Sequence, residues 1–398
     1  MDSDVAARTG KTGIALLPPL LAGLFSPARL IESIRLLQDV QAGAGAAGRN
    51  RPAVHRVTLD YAPHGAPRTG DLYRSGKPVA GLVLMPGASP QGKDDPRLVA
   101  FAEALARARF EVLVPDLPGL RSLRVSADDA DLVADALSAL SQHRAAGGNA
   151  TMGLIAICYS TGPAMLALLE ERARGTAQFM LSIGGFYDLE AVIAFFTTGC
   201  YRNPADGLLR HRPPDEYGKW IFAISNVAAL EDPKDRERLD AMARRRLDDS
   251  EAELCDLAAG LGEEGRRVYA LLENRDPDRV PALMDALPQR IKAEIARLDL
   301  KRRDFSGLDM RFILMHGNDD AVIPETESMA LAGALPAADL YILHSMQHVD
   351  PGPAGIADKL KLLAAMQGFL RERDRVRPPN AAAGKSPLQV PTNPCGAA

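Results

Sequence analysis

Cysteine is scarce and scattered in this sequence. The four residues, Cys158, Cys200, Cys255 and Cys395, lie far apart in a chain of 398. None forms a CxxC pair or joins histidines at zinc spacing, so neither a structural metal nor a disulfide framework is expected. An excess of charge of one sign is lacking as well. The 47 Lys and Arg oppose 51 Asp and Glu, for a net charge of −4. That balance removes the electrostatic case for a nucleic-acid partner or an anionic membrane surface. There is no GxGxxG and no GxxxxGK[ST] run; Met85-Pro86-Gly87-Ala88-Ser89-Pro90 and Gly92-Lys93-Asp94 lack phosphate-binding spacing. No organic cofactor is implied.

Transmembrane-length apolar runs are not apparent. Residues 13–25 are apolar, but they are interrupted by Pro18-Pro19 and are too short to span a bilayer. Arg8 and Lys11 precede them, which is the layout of a signal peptide, yet Ser26-Pro27-Ala28 is a poor cleavage site. The reading favoured is an apolar helix docked on the core or lying at a surface. The cysteine usage points to a reducing, cytoplasmic setting, with membrane association or export left open by residues 13–25.

What is present is alternation. A Gly/Ala-rich linker over residues 38–53 is followed by short strands at 55–61 and 71–74. Continuous apolar runs predict buried strands at 81–85, 110–114, 151–157 and 177–183. Helical periodicity separates them at 96–108, 130–143 and 164–172. From about 189 to 308 the pattern is helical, charged and interrupted by Pro and Gly. Alternation then resumes with a strand at 311–315, a helix at 325–334, a strand at 340–343 and a helix at 354–371. Repeated strand–helix–strand units predict an α/β fold, an αβα sandwich with a mostly parallel sheet and a helical cap inserted between two late strands. The domains are then an N-terminal segment and linker (1–53), two core parts (54–188 and 309–372), the cap (189–308) and a Pro/Ala-rich disordered tail (373–398).

Three segments carry chemistry. A strand runs into His316-Gly317-Asn318-Asp319-Asp320-Ala321-Val322-Ile323-Pro324, placing a carboxylate beyond a strand's carboxyl end. One helix and one strand later, 28 residues after Asp320, His348 follows in a loop suited to a general base. His344, nearer the strand end, is expected to be partly buried. The third segment is Ile157-Cys158-Tyr159-Ser160-Thr161-Gly162-Pro163, where a strand turns sharply into a helix through small residues. The order nucleophile, acid, base runs along the chain.

With these residues in view, the chain resembles the α/β-hydrolase superfamily, and within it the dienelactone-hydrolase-like and esterase-like branches. The HGNDDAVIP run is similar to the family's HGxxDxxVP acid motif, which implies Asp320 as the acid. His348-Val349-Asp350 is similar to its base loop. Residues 83–95 resemble the oxyanion loop after the third strand, and residues 110–119 the strand and turn that follow. The likeness covers about half the chain.

The family's GxSxG is absent. Counted from the strand, Cys158 takes the nucleophile position within Ala156-x-Cys158-x-Ser160, with Gly153 five residues before it. A cysteine there is what the dienelactone-hydrolase branch uses. Counted from the helix, Ser160 takes that position, and Pro163 falls in the first helical turn where its missing N–H costs nothing. Cys158 is ranked ahead of Ser160. Backbone N–H groups at Tyr159 (or Thr161) and at Ala88 in the Gly87-Ala88-Ser89 loop are the expected oxyanion donors. The expected activity is hydrolysis of a small-molecule carboxylic ester-like bond through a covalent acyl-enzyme. Lactone or C–C hydrolysis, acyl transfer, and a catalytically inactive binding module are the alternatives. Aromatics around Phe186, Tyr187, Phe195 and Phe196 fit either a substrate pocket or packing between cap and core.

Overall fold

The computed structural model of the chain describes residues 26–43, 51–146, 148, 151–344, 346–347, 350–351 and 355–375. It opens with helix α1 (Pro27–Ala42) and strands β1 (His55–Tyr61), β2 (Arg68–Arg74) and β3 (Ala80–Leu84). Helix α2 (Pro96–Arg107), β4 (Phe110–Pro115), α3 (Asp129–Ala146), β5 (Met152–Ile157), α4 (Thr161–Leu169) and β6 (Phe179–Ile183) follow. The insertion comes next. It holds α5 (Leu189–Thr198), a hairpin of β7 (Cys200–Arg202) and β8 (Leu209–His211), then α6 (Glu216–Asn226), α7 (Pro233–Asp248), α8 (Glu263–Leu272) and α9 (Gln289–Leu298), with short helical turns between them. The chain returns to the sheet through β9 (Arg311–Gly317), α10 (Glu325–Ala334), β10 (Ala338–Leu343) and α11 (Ile356–Arg373).

Eight strands pair in the order β1-β2-β4-β3-β5-β6-β9-β10. β1 and β2 are antiparallel to each other, and β2 is antiparallel to β4. All the remaining pairs are parallel. The apolar runs follow from burial on both faces. In β3, Val83 joins one core layer while Leu82 and Leu84 join the other. The first layer packs against α3, α4 and the insertion; the second packs against α1, α2 and α11. Alternate residues therefore meet different helices, and no residue of the strand is free to be polar.

The chain winds one way from β3 to β4 and the other way from β3's second neighbour, β5, to β6 and β9. The reversal leaves a crevice beyond the carboxyl ends of β3 and β5, which is where open α/β sheets bind ligands.

Several boundaries differ from expectation. Residues 38–42, read as linker, form the last turns of α1, which stops where Gly43 adopts a left-handed φ of 69°. α1 is docked on α11 by Arg373, which bonds Glu32 at 2.5 Å and the Ala108 carbonyl at 2.7 Å. α4 begins three residues early and ends three early, because a 3₁₀ turn over Cys158–Ser160 leads into it. The β7–β8 hairpin was not foreseen; its three-residue strands are too short to show a period. Residues 13–25 and the tail beyond 375 lie outside the described residues. No helix among the described residues is long and apolar enough to cross a membrane.

Gly153 is required by strand packing. A Cβ there would lie 2.3 Å from the Phe179 ring on the adjacent β6. Gly153→Ala is expected to lose about 1–3 kcal/mol, the usual cost of overpacking. Urea unfolding measures it, and an unchanged midpoint would contradict the packing argument.

Candidate active site

β5 ends at Ile157, and the next residue leaves the strand with a left-handed backbone. Cys158 has φ 58°, one of three non-glycine residues with positive φ among those described. For a residue with a Cβ this conformation costs of the order of 1–2 kcal/mol, so the surroundings must enforce it. Ser160 supplies the brace. Its Oγ accepts from the Ile157 N–H at 2.9 Å and donates to the Ile157 carbonyl at 2.8 Å, closing a ring between side chain and backbone. Small neighbours give it room: Ala156 and Ser160 are fully buried. At Gly162 a Cβ would meet the Phe186 ring at 2.6 Å.

The two nucleophile candidates are therefore unlike. Cys158 is 5% exposed and lines the crevice together with Gly87, Ala88, Tyr217 and Val322. Ser160 is fully buried with its hydroxyl engaged on both sides. Pro163, the reason for considering Ser160, is compatible with either. The 3₁₀ turn delays the helix, so Pro163 is the third residue of α4 and still within its first turn.

The loop after β3 lies against this turn. A Cβ on Gly87 would sit 4.0 Å from the Cβ of Cys158. Ala88 is half-buried, and its carbonyl accepts the Tyr217 hydroxyl at 2.5 Å. Lys93, farther along the loop, reaches buried Asp71 on β2 at 2.8 Å. Tyr159 lines an apolar cavity together with Phe186, Phe196, Ile221 and Phe222. Its hydroxyl is buried without a hydrogen-bond partner among the described residues. Burial, with the nearby Cys158 adding to it, pushes the phenols of Tyr159 and Tyr217 up, so both remain protonated. Phe186 and Phe196 thus line a cavity and pack the core at once, whereas Phe195 stacks edge-on against Tyr201 at 5.7 Å.

The loop that carries Asp319 and Asp320 follows β9. Asp320 is fully buried and Asp319 exposed. Oδ1 of Asp320 accepts the N–H groups of Val322 and Ile323 at 2.8 and 3.0 Å. Its Oδ2 lies 3.3 Å from Nε2 of His316. His316, which the sequence reading left without a role, is fully buried. Its Nε2 donates to the Ile323 carbonyl at 2.9 Å, and its Nδ1 lies 2.7 Å from Ser328 Oγ. The signal was there, as the first letter of the HGNDD run. His344 is exposed in the turn after β10, not partly buried as expected, because β10 is an edge strand and the turn leaves the sheet at its rim. His348 lies outside the described residues. No three His, Cys, Asp or Glu side chains among the described residues are grouped to hold a metal ion.

The insertion meets the core through a second buried carboxyl. Glu327, in the first turn of α10, accepts the N–H groups of Tyr187 and Asp188 at 2.9 and 2.7 Å. Those amides lie where α5 begins. Burial pushes its pKa up from 4.5 to about 8, against the pull of the two backbone bonds.

No protein-family model matches this sequence, and no curated protein does. Solved structures do match it in fold. A candidate hydrolase from Legionella pneumophila aligns with a TM-score of 0.51 at 11% identity, over 88% of this chain and 96% of that one. The rice cell wall degrading esterase LipA from Xanthomonas oryzae gives 0.48 at 15% identity, over 86% and 94%. The acylaminoacyl peptidase of Pyrococcus horikoshii gives 0.43 at 10% identity, over 81% of this chain and 41% of that one. At such identities the likeness concerns fold alone, and the first of the three carries it. With its mostly parallel sheet and flanking helices, the chain has the α/β-hydrolase fold.

In ordinary strand or helix positions Gly is less stable than Ala by about 0.5–1 kcal/mol. At residue 158 the order should invert, with Cys158→Gly more stable than Cys158→Ala by about 1 kcal/mol in thermal or urea unfolding, since only Gly relieves the left-handed backbone. An Ala variant as stable as the Gly variant would contradict the strain. A second prediction concerns Glu327. The folded chain keeps this proton up to about pH 8, while the unfolded chain releases it near 4.5. Its contribution is complete below pH 4.5 and is lost as pH rises through 8. Glu327→Gln should therefore lose less stability than the parent between these limits, read as melting temperature against pH. Parallel curves would refute it.

Proposed function

We propose that this protein hydrolyses carboxylic ester-like bonds of small molecules through a covalent acyl-enzyme on Cys158. His348 serves as base, and Asp320 orients and stabilises the imidazolium. The observation that carries this reading is the left-handed backbone of Cys158 at the end of β5, beside the loop after β3. A nucleophile elbow needs this strained turn to push its side chain forward into the crevice. Ser160, whose hydroxyl is spent on Ile157, fits the role of brace better than that of nucleophile. A cysteine in this position also agrees with the dienelactone-hydrolase-like branch that the sequence resembles.

The chemistry then runs as follows. His348 takes the thiol proton, and the thiolate attacks the carbonyl carbon. Negative charge collects on the carbonyl oxygen, which the N–H groups of Tyr159 and Ala88 are proposed to receive. The C–O bond to the leaving alkoxide breaks as His348 returns the proton to it. Water, deprotonated by His348, attacks the thioester and releases a carboxylic acid and the thiol. Asp320 is suited to its part, being buried and held rigid by two backbone N–H groups on its Oδ1. The helical insertion is proposed to be a cap that shapes the substrate's surroundings, with Tyr217 on α6 reaching the crevice.

Purified protein assayed on p-nitrophenyl acetate and butyrate tests the reading. Cys158→Ala should abolish turnover and Ser160→Ala should weaken it; the reverse would transfer the nucleophile to Ser160. Asp320→Asn and His348→Ala should each cost about 10³–10⁴-fold in kcat. If the parent shows no turnover and iodoacetamide does not alkylate Cys158, the protein is a binding module with a hydrolase fold.

A further inference from the structure

The acid loop and the oxyanion loop follow β9 and β3, which β5 and β6 separate in the sheet. One short segment of the insertion bonds to both. It runs Arg212-Pro213-Pro214-Asp215-Glu216-Tyr217, from the end of β8 into the first turn of α6. At its start, Arg212 Nη1 donates to the Asp320 carbonyl at 2.7 Å, and Nη2 donates to the Asn318 carbonyl at 2.6 Å. The same Nη2 reaches Glu325 Oε2 at 3.0 Å and the Tyr201 hydroxyl at 3.0 Å, with the guanidinium over the Tyr201 ring. In the middle, the Asp215 N–H donates to the Ala321 carbonyl at 2.7 Å. At its end, Tyr217 donates to the Ala88 carbonyl at 2.5 Å.

From this we infer that residues 212–217 form a strap that positions both halves of the catalytic site, with Arg212 and Tyr217 as its two anchoring residues. The inference rests on the reading of Asp320 as the acid and Ala88 as an oxyanion donor. The planar guanidinium meets several acceptors at fixed angles, which a flexible ammonium does not. Pro213 and Pro214 each fix φ near −65°, so the spacing between the anchors is built in and costs little entropy to hold. Arg212 and Glu325 are nearly buried, at 16% and 8% side-chain exposure, so solvent screens their pairing weakly. Inside the loop, the Asp320 carboxylate is fixed by its own backbone; outside, the strap fixes the backbone itself. Arg212 and Tyr217 act through other groups, and neither is assigned a part in bond making.

The test uses the full chain and p-nitrophenyl butyrate. Arg212→Ala should lower kcat about 30-fold and Tyr217→Phe about 10-fold, because a displacement near 1 Å of a reacting group costs up to about 10²-fold. KM should stay unchanged in both. Since either change frees one end of the same strap, the double variant should lose about 50-fold, not the product of about 300-fold. Multiplying effects, a change confined to KM, or an unchanged kcat would overturn the strap. Thermal melts check folding. If Arg212→Ala does not fold, Arg212→Lys, which retains charge but not the fork, carries the same expectation. Hydrogen exchange gives a reading independent of activity. The Val322 and Ile323 amides should exchange faster in the Arg212 variant, and unchanged exchange would count against the strap. Absence of ester turnover in the parent would sink the proposed function, while the exchange result would still decide the strap.

Discussion

The site depends on the left-handed backbone at Cys158. A side chain pays for that conformation with steric strain, and the chain around it is arranged to impose it. Ser160 holds both polar groups of Ile157, so the strand cannot continue straight past its last residue. Gly153 lets β5 and β6 approach until a methyl group would strike Phe179, and Gly162 lets Phe186 close over α4. These contacts are in the core, where displacement is resisted by packing on all sides. Strain at the surface would relax; here it is retained at the crevice of the sheet.

Around that point, polar groups are arranged so that each loop has a fixed outline. The loop after β9 is held from inside by its own N–H groups and by His316, and from outside by Arg212. The loop after β3 is held by Lys93 on Asp71 and by Tyr217 on Ala88. Glu327, nearly neutral over much of the physiological range, anchors the start of the insertion. A buried group that accepts two backbone bonds but resists ionisation links this junction to pH. The insertion is thus tied to the core at its entrance, through Glu327, and again through Arg212 and Tyr217.

The layout was open to reading from the chain because its signals are local. Apolar runs of five to seven residues marked the buried strands, since a strand covered on both faces has few polar positions to offer. The break in alternation marked the insertion. Asp320 was preferred to Asp319 as the candidate acid by its place in the HGNDD run, and Cys158 to Ser160 as the candidate nucleophile by its distance from Gly153. His316 carried a sign in the same run but could not be assigned, because its role is to fill a buried space between Ile323 and Ser328 that no single segment reveals.

What the sequence by itself determined is therefore the α/β alternation, the order of the candidate acid and base, and the presence of a tight turn between Ile157 and Gly162. These are properties of periodicity and residue size within a few positions. Only the tertiary structure decided how that turn is built. The sign of φ at Cys158, the engagement of Ser160 and the tolerance of Pro163 depend on a 3₁₀ turn fixed by packing against β6 and Phe186. The meeting of Arg212 with a loop more than a hundred residues away is likewise a product of the fold, because the sequence records neither distance nor direction between the insertion and the sheet it returns to.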